Sequence, residues 1–216
     1  RIIEVAHRLS SVRDRLVFIG GTVLPLLVDV DGRFYSPRMT DDVDAVGIAV
    51  NYTDASHVEE AVAGAGYTLD ARSRHKGRWR GPGDAIFDLS FAGDFPGASG
   101  ARIDEMAIAT AQQMDGHPEI RHLSPTGLFL MKCAAYGDRG QDAPEESKDL
   151  ADLAVLLVGT DVPADVAQRS PDVREEARNR AKWLLNLPST DVALIGHFAE
   201  RFPKPPETAE ELAEEA

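Results

Sequence analysis

The sequence predicts an α/β front half followed by an all-helical back half. In the front half, short apolar runs typical of strands alternate with segments of helical spacing. These strand candidates are residues 16–19, 43–50 and 85–91. From Ser124-Pro125 onward the pattern is helical, with a serine cap and a proline at the first helical position.

Three units follow from this change of pattern and from the composition of the end of the chain. A Gly-rich link at residues 93–100 precedes the change, and five glutamates follow Pro203. Such an acidic, proline-containing end is typical of a solvated, poorly ordered segment. The predicted units are an α/β core over 1–120, a helical region over 121–202 and an acidic tail over 203–216.

Composition excludes several classes of protein. Of 216 residues, 43% are apolar and 27% are charged, as in soluble globular proteins, and no apolar run approaches the length of a membrane span. The single cysteine, Cys133, excludes an internal disulfide and is typical of a reducing cytoplasm. The net charge of −13 argues against coating nucleic acid through a broad basic surface. The histidines are scattered, without a His/Cys spacing suited to zinc.

The first strand candidate ends at Gly20-Gly21, and Thr22 starts a predicted helix to Leu27 with Pro25 in its first turn. Glycines let the backbone approach a ligand closely, and a helix start offers free N–H groups to a phosphate. A Gly-Gly pair alone is more typical of an ordinary strand-to-helix turn.

Asp42-Val43-Asp44 opens the second strand candidate. Residues two apart on a strand point to one face, with backbone spacing of roughly 6.6 Å. Carboxylates on one face can converge on hard cations, which prefer oxygen ligands. Asp29-Val30-Asp31 matches the same short pattern but precedes a turn glycine, which predicts a surface position.

The middle of the chain predicts connecting elements. Ser56 with Glu59 predicts a capping box at the start of a helix through Ala65, ended by Gly66. The basic stretch 72–80 predicts a loop or hairpin leading into the third strand candidate. Residues 102–114 fit either one helix or a strand plus a helix. Further helices are predicted near 145–158, 172–187 and 190–201.

A longer pattern joins these motifs. Arg38 and Thr40 precede Asp42-Val43-Asp44 at alternate positions, after the Gly-Gly-Thr turn. In the back half, Leu123-Ser124-Pro125 leads to Leu130-Met131-Lys132, and Lys148-Asp149-Leu150-Ala151-Asp152-Leu153 follows. This order of motifs resembles the nucleotidyltransferase family of the AbiEii/AbiGii toxin type, part of the polymerase-β-like superfamily.

The resemblance implies an α/β nucleotidyltransferase core with a mixed sheet, followed by a C-terminal helical region. It also implies a nucleoside triphosphate substrate and Mg²⁺ or Mn²⁺ held by Asp42 and Asp44. Arg38 would neutralise phosphate charge or orient Asp42, and Asp149 would support the site or simply pair with a neighbouring base. The residues assigned to the nucleotide are Gly20, Gly21, Thr22, Arg38, Thr40, Lys132 and Asp149.

Members of the superfamily commonly carry a third carboxylate on a neighbouring strand. Asp88 is the best candidate, because a mid-strand aspartate is unfavourable unless something uses it. Asp84, in a Gly-Pro-Gly loop, is the alternative.

The implied reaction transfers a nucleoside monophosphate to an acceptor hydroxyl. The resemblance favours RNA, with the 3′ end of tRNA as acceptor, and a toxin with an antitoxin protein or a phage-defence role. A small-molecule or protein acceptor is the alternative, as is a catalytically silent nucleotide-binding module acting through a partner. For RNA, alternation along a hairpin would put the cations of the basic stretch on one face, with its tryptophan either stacking on a base or, from the opposite face, anchoring the loop to the core. These residues are Arg72, Arg74, Lys76, Arg78, Trp79 and Arg80.

Overall fold

The computed structural model of the protein describes residues 1–28, 40–95, 98, 102–188 and 190–201, with residues 200 and 201 described by backbone alone. Arg38, the Asp29-Val30-Asp31 pair and the predicted tail 203–216 lie outside these residues. The sequence expectations for those positions therefore stay predictions.

Helices begin the chain, connect its strands and make up most of the described chain after the last strand. They are α1 (Ile2–Arg8), α2 (Leu24–Leu27), α3 (Tyr52–Gly64), α4 (Arg102–Ile108), α5 (Pro125–Arg139), α6 (Lys148–Gly159), α7 (Val162–Ala167), α8 (Pro171–Leu185) and α9 (Thr190–Arg201). Within the described part of the chain, no helix combines the length and the apolarity that a membrane crossing needs.

In the described parts of the chain, seven strands form one mixed sheet in the order β3-β4-β5-β2-β1-β7-β6. The parallel pairs are β2 with β5 and β1 with β7, and the other neighbours are antiparallel. The predicted fold class, a mixed-sheet α/β core followed by helices, is confirmed. The strands are β1 (Leu16–Ile19), β2 (Asp42–Ile48), β3 (Thr68–Leu69), β4 (Arg78–Arg80), β5 (Ile86–Ala92), β6 (Gln112–Met114) and β7 (His117–His122).

Local capping decides where several elements start. The side chain of Ser124 accepts a hydrogen bond from the N–H of Gly127 at 3.2 Å, so the predicted start of α5 is confirmed. The predicted capping box in α3 is wrong, because Asn51 caps this helix by accepting from the N–H of Asp54 at 2.9 Å. Ser56 therefore lies inside the helix. Residues 102–114 form a helix and then a strand.

The two faces of the sheet pack against different parts of the chain. On β1, Leu16 and Phe18 belong to a core with α1 and α3, while Val17 belongs to a second core with the helices that follow β7. On β2, Val43 and Ala45 belong to the first core. Side chains alternate along a strand, so the aspartates of β2 share the face that turns toward the C-terminal helices.

The sheet extends beyond the predicted domain boundary at residue 120. Strand β7 runs through this position, and its His122 pairs with Phe18 of β1. The N–H of Leu123 then donates to the carbonyl of Phe18 at 3.1 Å. The division into units at 120 and 202 stays a prediction.

Candidate active site

Strand register brings three carboxylates together. Asp44 of β2 lies opposite Asp88 of the parallel strand β5, and Asp42 precedes Asp44 by two residues on the same face. One ligand oxygen from each of the three lies within 4.8 Å of the others. The alternative third carboxylate, Asp84, is exposed in a turn outside this group.

The surroundings of Asp44 change the acidity of its carboxyl group. Burial, and then the negative charges of Asp42 and Asp88, raises the pKa of Asp44 from 3.8 to about 7. A carboxyl group holds its proton this firmly when the surrounding field disfavours further negative charge. A bound cation would reverse that field, and the three ligands are oxygens, which hard divalent cations prefer. These residues fit a magnesium-type ion.

Arg78 lies against the same three carboxylates. It is the cross-strand partner of Asp88 in the β4–β5 hairpin, so the two side chains share a face. Its guanidinium donates to both carboxylate oxygens of Asp88, at 2.8 and 2.6 Å, and to Asp42 at 3.2 Å. A carboxylate accepts about four hydrogen bonds, so Asp88 can hold Arg78 and a metal together. Arg78 thus supplies permanent positive charge to the site.

Gly20 closes the site from the end of β1. Its φ of +76° is a left-handed conformation that favours glycine. A Cβ added there would lie 2.2 Å from Oδ2 of Asp44, so only glycine lets the turn approach the carboxylate. The predicted Gly20-Gly21 turn therefore reaches the aspartates, and α2 begins only after it, at Leu24.

Two hydroxyl groups lie on the same edge of the site. The hydroxyl of Thr40 donates to Oδ1 of Asp42 and so fixes that carboxylate. The guanidinium of Arg1 in turn donates to the carbonyl of Thr40. In the glycine turn, the hydroxyl of Thr22 donates to the carbonyl of Ile19 at 3.4 Å.

Lys132 belongs to a buried ionic group on the helical side. Its ammonium contacts Asp149 at 3.0 Å and Asp152 at 2.5 Å, and the guanidinium of Arg139 contacts Asp149 from the surface at 2.8 Å. Burial lowers the pKa of Lys132, but the charges of Asp152 and Asp149 outweigh it and raise the pKa overall. Lys132 also lowers the pKa of Asp44, so its charge reaches the carboxylate cluster.

The basic stretch does not form the single face that alternation predicted. Only residues 78–80 are a strand, while residues 72–77 form turns, so the alternation ends where the strand ends. Arg80 pairs with Asp70 at 2.8 Å, and Arg78 points to the carboxylates. Arg72, Arg74 and Lys76 are exposed.

Trp79 is a core residue. It is only 6% exposed and lies opposite Phe87 in the β4–β5 pair, within the core of α1 and α3. An indole buried in this way has no open face for a nucleotide base. The expectation that Trp79 stacks on RNA is therefore wrong.

The sequence reasoning missed two partners of the site. Arg78 was assigned to the acceptor, although a hairpin register of Arg78 with Asp88 would have predicted the contact. Asp152 belongs to the Lys148–Leu153 motif but received no role, although it lies three residues after Asp149 and so shares its helix face.

Comparisons with known proteins identify relatives of the chain. A family model described as "Nucleotidyl transferase AbiEii toxin, Type IV TA system" matches residues 5–215. Among solved structures, one of ANT(2″)-Ia in complex with adenylyl-2″-tobramycin is similar, with a TM-score of 0.42 and 15% sequence identity. That alignment covers 92% of this chain and 98% of the other. No curated protein matches the chain.

The close approach at Gly20 predicts a specific defect. We expect Gly20→Ala to displace the Asp44 carboxylate and weaken Mn²⁺ binding at least about tenfold, as supporting contacts of metal ligands typically do. Gly83→Ala is the matched control, because Gly83 also has a positive φ but open space around its Cβ. Calorimetric titration with Mn²⁺ measures both. Equal affinities would contradict the contact.

Asp44 should make the stability of the metal-free protein depend on pH. Its folded pKa of about 7 exceeds the ordinary 3.8, so in that window the folded state keeps a proton that the unfolded state releases. The free energy of unfolding therefore falls as pH rises from about 4 to 7 and levels off above it. Asp44→Asn removes this loss and should gain up to about 4 kcal/mol near neutral pH, at roughly 1.4 kcal/mol for each unit of the pKa shift.

Denaturant unfolding in a chelator, repeated across this pH range, tests the expectation. The difference between Asp44→Asn and wild type should grow up to about pH 7. Asp84→Asn, at an exposed position outside the carboxylate cluster, is the control variant. A constant difference for Asp44→Asn would show that its pKa is ordinary.

The buried ionic group predicts a structural cost at Lys132. Removing this ammonium leaves two buried carboxylates without it, so we expect Lys132→Ala to lower the free energy of unfolding by about 3–5 kcal/mol. Arg139→Ala removes an exposed partner of Asp149 and should cost at most about 1 kcal/mol. Thermal and denaturant unfolding without ligand compare the two. If both variants lost only a similar, small free energy of unfolding, Lys132 would not be the main counter-ion of this group.

Proposed function

The chain belongs to the AbiEii family of nucleotidyl transferase toxins of type IV toxin–antitoxin systems, and we propose that it transfers a nucleoside monophosphate from a nucleoside triphosphate to RNA with the help of a divalent metal ion. The observation that supports the metal-dependent chemistry is the convergence of Asp42, Asp44 and Asp88 within 4.8 Å. Nucleotidyl transfer needs positioning and charge neutralisation more than covalent catalysis. The acidic cluster would supply both by holding a cation beside the glycine turn.

The carboxylates would hold one or two Mg²⁺ or Mn²⁺ ions. When bound, such an ion neutralises phosphate charge and lowers the pKa of an attacking hydroxyl. Thr40 keeps one oxygen of Asp42 in place through its hydrogen bond, and Arg78 does the same for Asp88. Asp44, whose pKa is raised to about 7, has the most to gain from a cation.

The nucleotide would lie along the glycine turn. Backbone N–H groups of Gly20 and Gly21 would donate to phosphate oxygens next to the carboxylate of Asp44, and the hydroxyl of Thr22 would exchange its hydrogen bond to the carbonyl of Ile19 for one to phosphate. Lys132, in α5, adds positive charge that acts on Asp44. An ammonium group has three donors, and Asp149 and Asp152 contact it on two sides, so one remains for a phosphate oxygen.

In the reaction, the acceptor hydroxyl oxygen bonds to the α-phosphorus of the triphosphate and gives up its proton to solvent. The bond from this phosphorus to the bridging oxygen breaks, and pyrophosphate leaves. Arg38, outside the described residues, is assigned to the same phosphates by the family resemblance.

Three exposed cations support RNA as the acceptor. Arg72, Arg74 and Lys76 directly precede Arg78, whose side chain reaches the carboxylates, so this short segment borders the site. A chain with a net charge of −13 repels a polyanion elsewhere. The 3′ end of tRNA is the acceptor that we test first. As a member of a toxin–antitoxin family, the protein is also expected to have an antitoxin.

The test supplies each of the four labelled nucleoside triphosphates with total RNA, with and without Mg²⁺. We expect Mg²⁺-dependent label in RNA with wild type and only background with Asp42→Asn or Asp44→Asn. Exposed Asp84→Asn is the control and should stay active. Label in the protein instead of RNA would make a protein side chain the acceptor. Label that appears only after a small molecule is added would make that molecule the acceptor. Full activity of Asp42→Asn and Asp44→Asn would contradict the metal assignment.

The salt dependence of RNA binding tests the acceptor surface. Each single-strand phosphate contact steepens the fall of log affinity with log salt by about 0.7, so replacing Arg72, Arg74 and Lys76 by Ala should flatten the slope by up to about 2. The charge-matched control replaces the exposed Arg174, Arg178 and Lys182 of α8. If only the α8 variant had a flatter slope, the RNA-binding surface would lie on α8 and not on the basic stretch.

A further inference from the structure

A second group of metal-ligating side chains lies outside the carboxylate cluster. His7, His117 and Glu119 each bring one ligand atom to within 4.8 Å of the others. Nε2 of His7 is 3.9 Å and Nδ1 of His117 is 3.7 Å from the same oxygen, Oε1 of Glu119. Both distances exceed that of a direct hydrogen bond.

The fold assembles this group from two distant parts of the chain. His7 lies in the last turn of α1, which packs against β7. His117 opens β7 directly after Gly116, a positive-φ turn residue, and Glu119 follows two residues later on the same face. The two imidazole rings meet edge to face, with centroids 6.0 Å apart, so they do not stack.

From this geometry we propose that His7, His117 and Glu119 form a binding site for Zn²⁺ or a similar transition-metal ion. Two imidazoles and one carboxylate are a set of ligands that zinc accepts. Tetrahedral bonds of about 2.0–2.2 Å hold two ligand atoms roughly 3.4 Å apart. The two nitrogen–oxygen gaps, of 3.7 and 3.9 Å, need to close by a few tenths of an ångström, and the imidazole nitrogens lie within 4.8 Å of each other. The side chains are 55%, 34% and 35% exposed, which leaves the fourth position to water.

The electrostatics of Glu119 suit a cation. A hydrogen bond from its own backbone N–H, and then the charges of Arg13 and His117, lower the pKa of Glu119 and keep it ionised. Arg13 stands 3.9 Å from the same oxygen and competes with a metal ion for it. Removing the charge of Arg13 should therefore tighten metal binding, whereas removing an imidazole should loosen it.

The bound ion would join α1 to β7. Strand β7 lies between β1 and the edge strand β6, so the ion would fasten the N-terminal helix to the second strand from this edge of the sheet. Because a ligand that binds only the folded state stabilises it, the site adds to stability without taking part in the chemistry at the carboxylates. This inference does not depend on the proposed function.

The experiment titrates the full chain with Zn²⁺ while excess Mg²⁺ occupies the carboxylate cluster. We expect His7→Gln and His117→Gln each to weaken Zn²⁺ binding at least about tenfold, since even supporting residues of metal sites have effects of this size. Arg13→Gln should bind more tightly than wild type. Exposed His57→Gln, on α3, is the matched control and should bind as wild type does.

Two further measurements complete the test. Asp44→Asn should keep the Zn²⁺ affinity of wild type, and Zn²⁺ should raise the melting temperature of wild type but not of His7→Gln. Melting curves without zinc confirm that each variant folds. Unchanged affinity in both imidazole variants, or loss of Zn²⁺ binding in Asp44→Asn alone, would overturn the proposal and assign the ion to the carboxylate cluster.

Discussion

The repulsion among three carboxylates on one sheet face is the constraint on which the rest of the site depends. Register fixes Asp44 opposite Asp88, and the period of the strand adds Asp42. Burial of this group raises the pKa of Asp44 to about 7, so the metal-free site is electrostatically unfavourable. A sheet can hold these three side chains together because hydrogen bonds between backbone groups fix the strands, whatever charge the side chains carry. The resulting field attracts a cation.

Positive charge is distributed around this cluster in two layers. Arg78 belongs to the sheet and contacts Asp42 and Asp88 directly. Lys132 belongs to the helical region, where Asp149 and Asp152 contact it, and its charge lowers the pKa of Asp44. The C-terminal helices are therefore part of the site, because they cover the sheet face on which the aspartates lie and bring a buried cation to it.

The same arrangement separates structural from accessible cations in the basic stretch. Arg78 and Arg80 are engaged by aspartates, and Trp79 anchors the hairpin in the core. Arg72, Arg74 and Lys76 stay exposed on the turns before the strand. A run of cations that looks uniform in sequence thus divides into residues that hold the site together and residues free to meet a polyanion.

The sequence by itself determined the features that depend on local spacing. The alternating strand fixed Asp42 and Asp44 on one face, the Ser124-Pro125 start fixed α5, and the order of motifs was enough to identify the family. Tertiary structure alone decided which distant residues meet. Arg78 and Asp88 depend on hairpin register, and His7 meets His117 only because α1 packs on β7. Register and packing are set by the whole core, which no local pattern encodes.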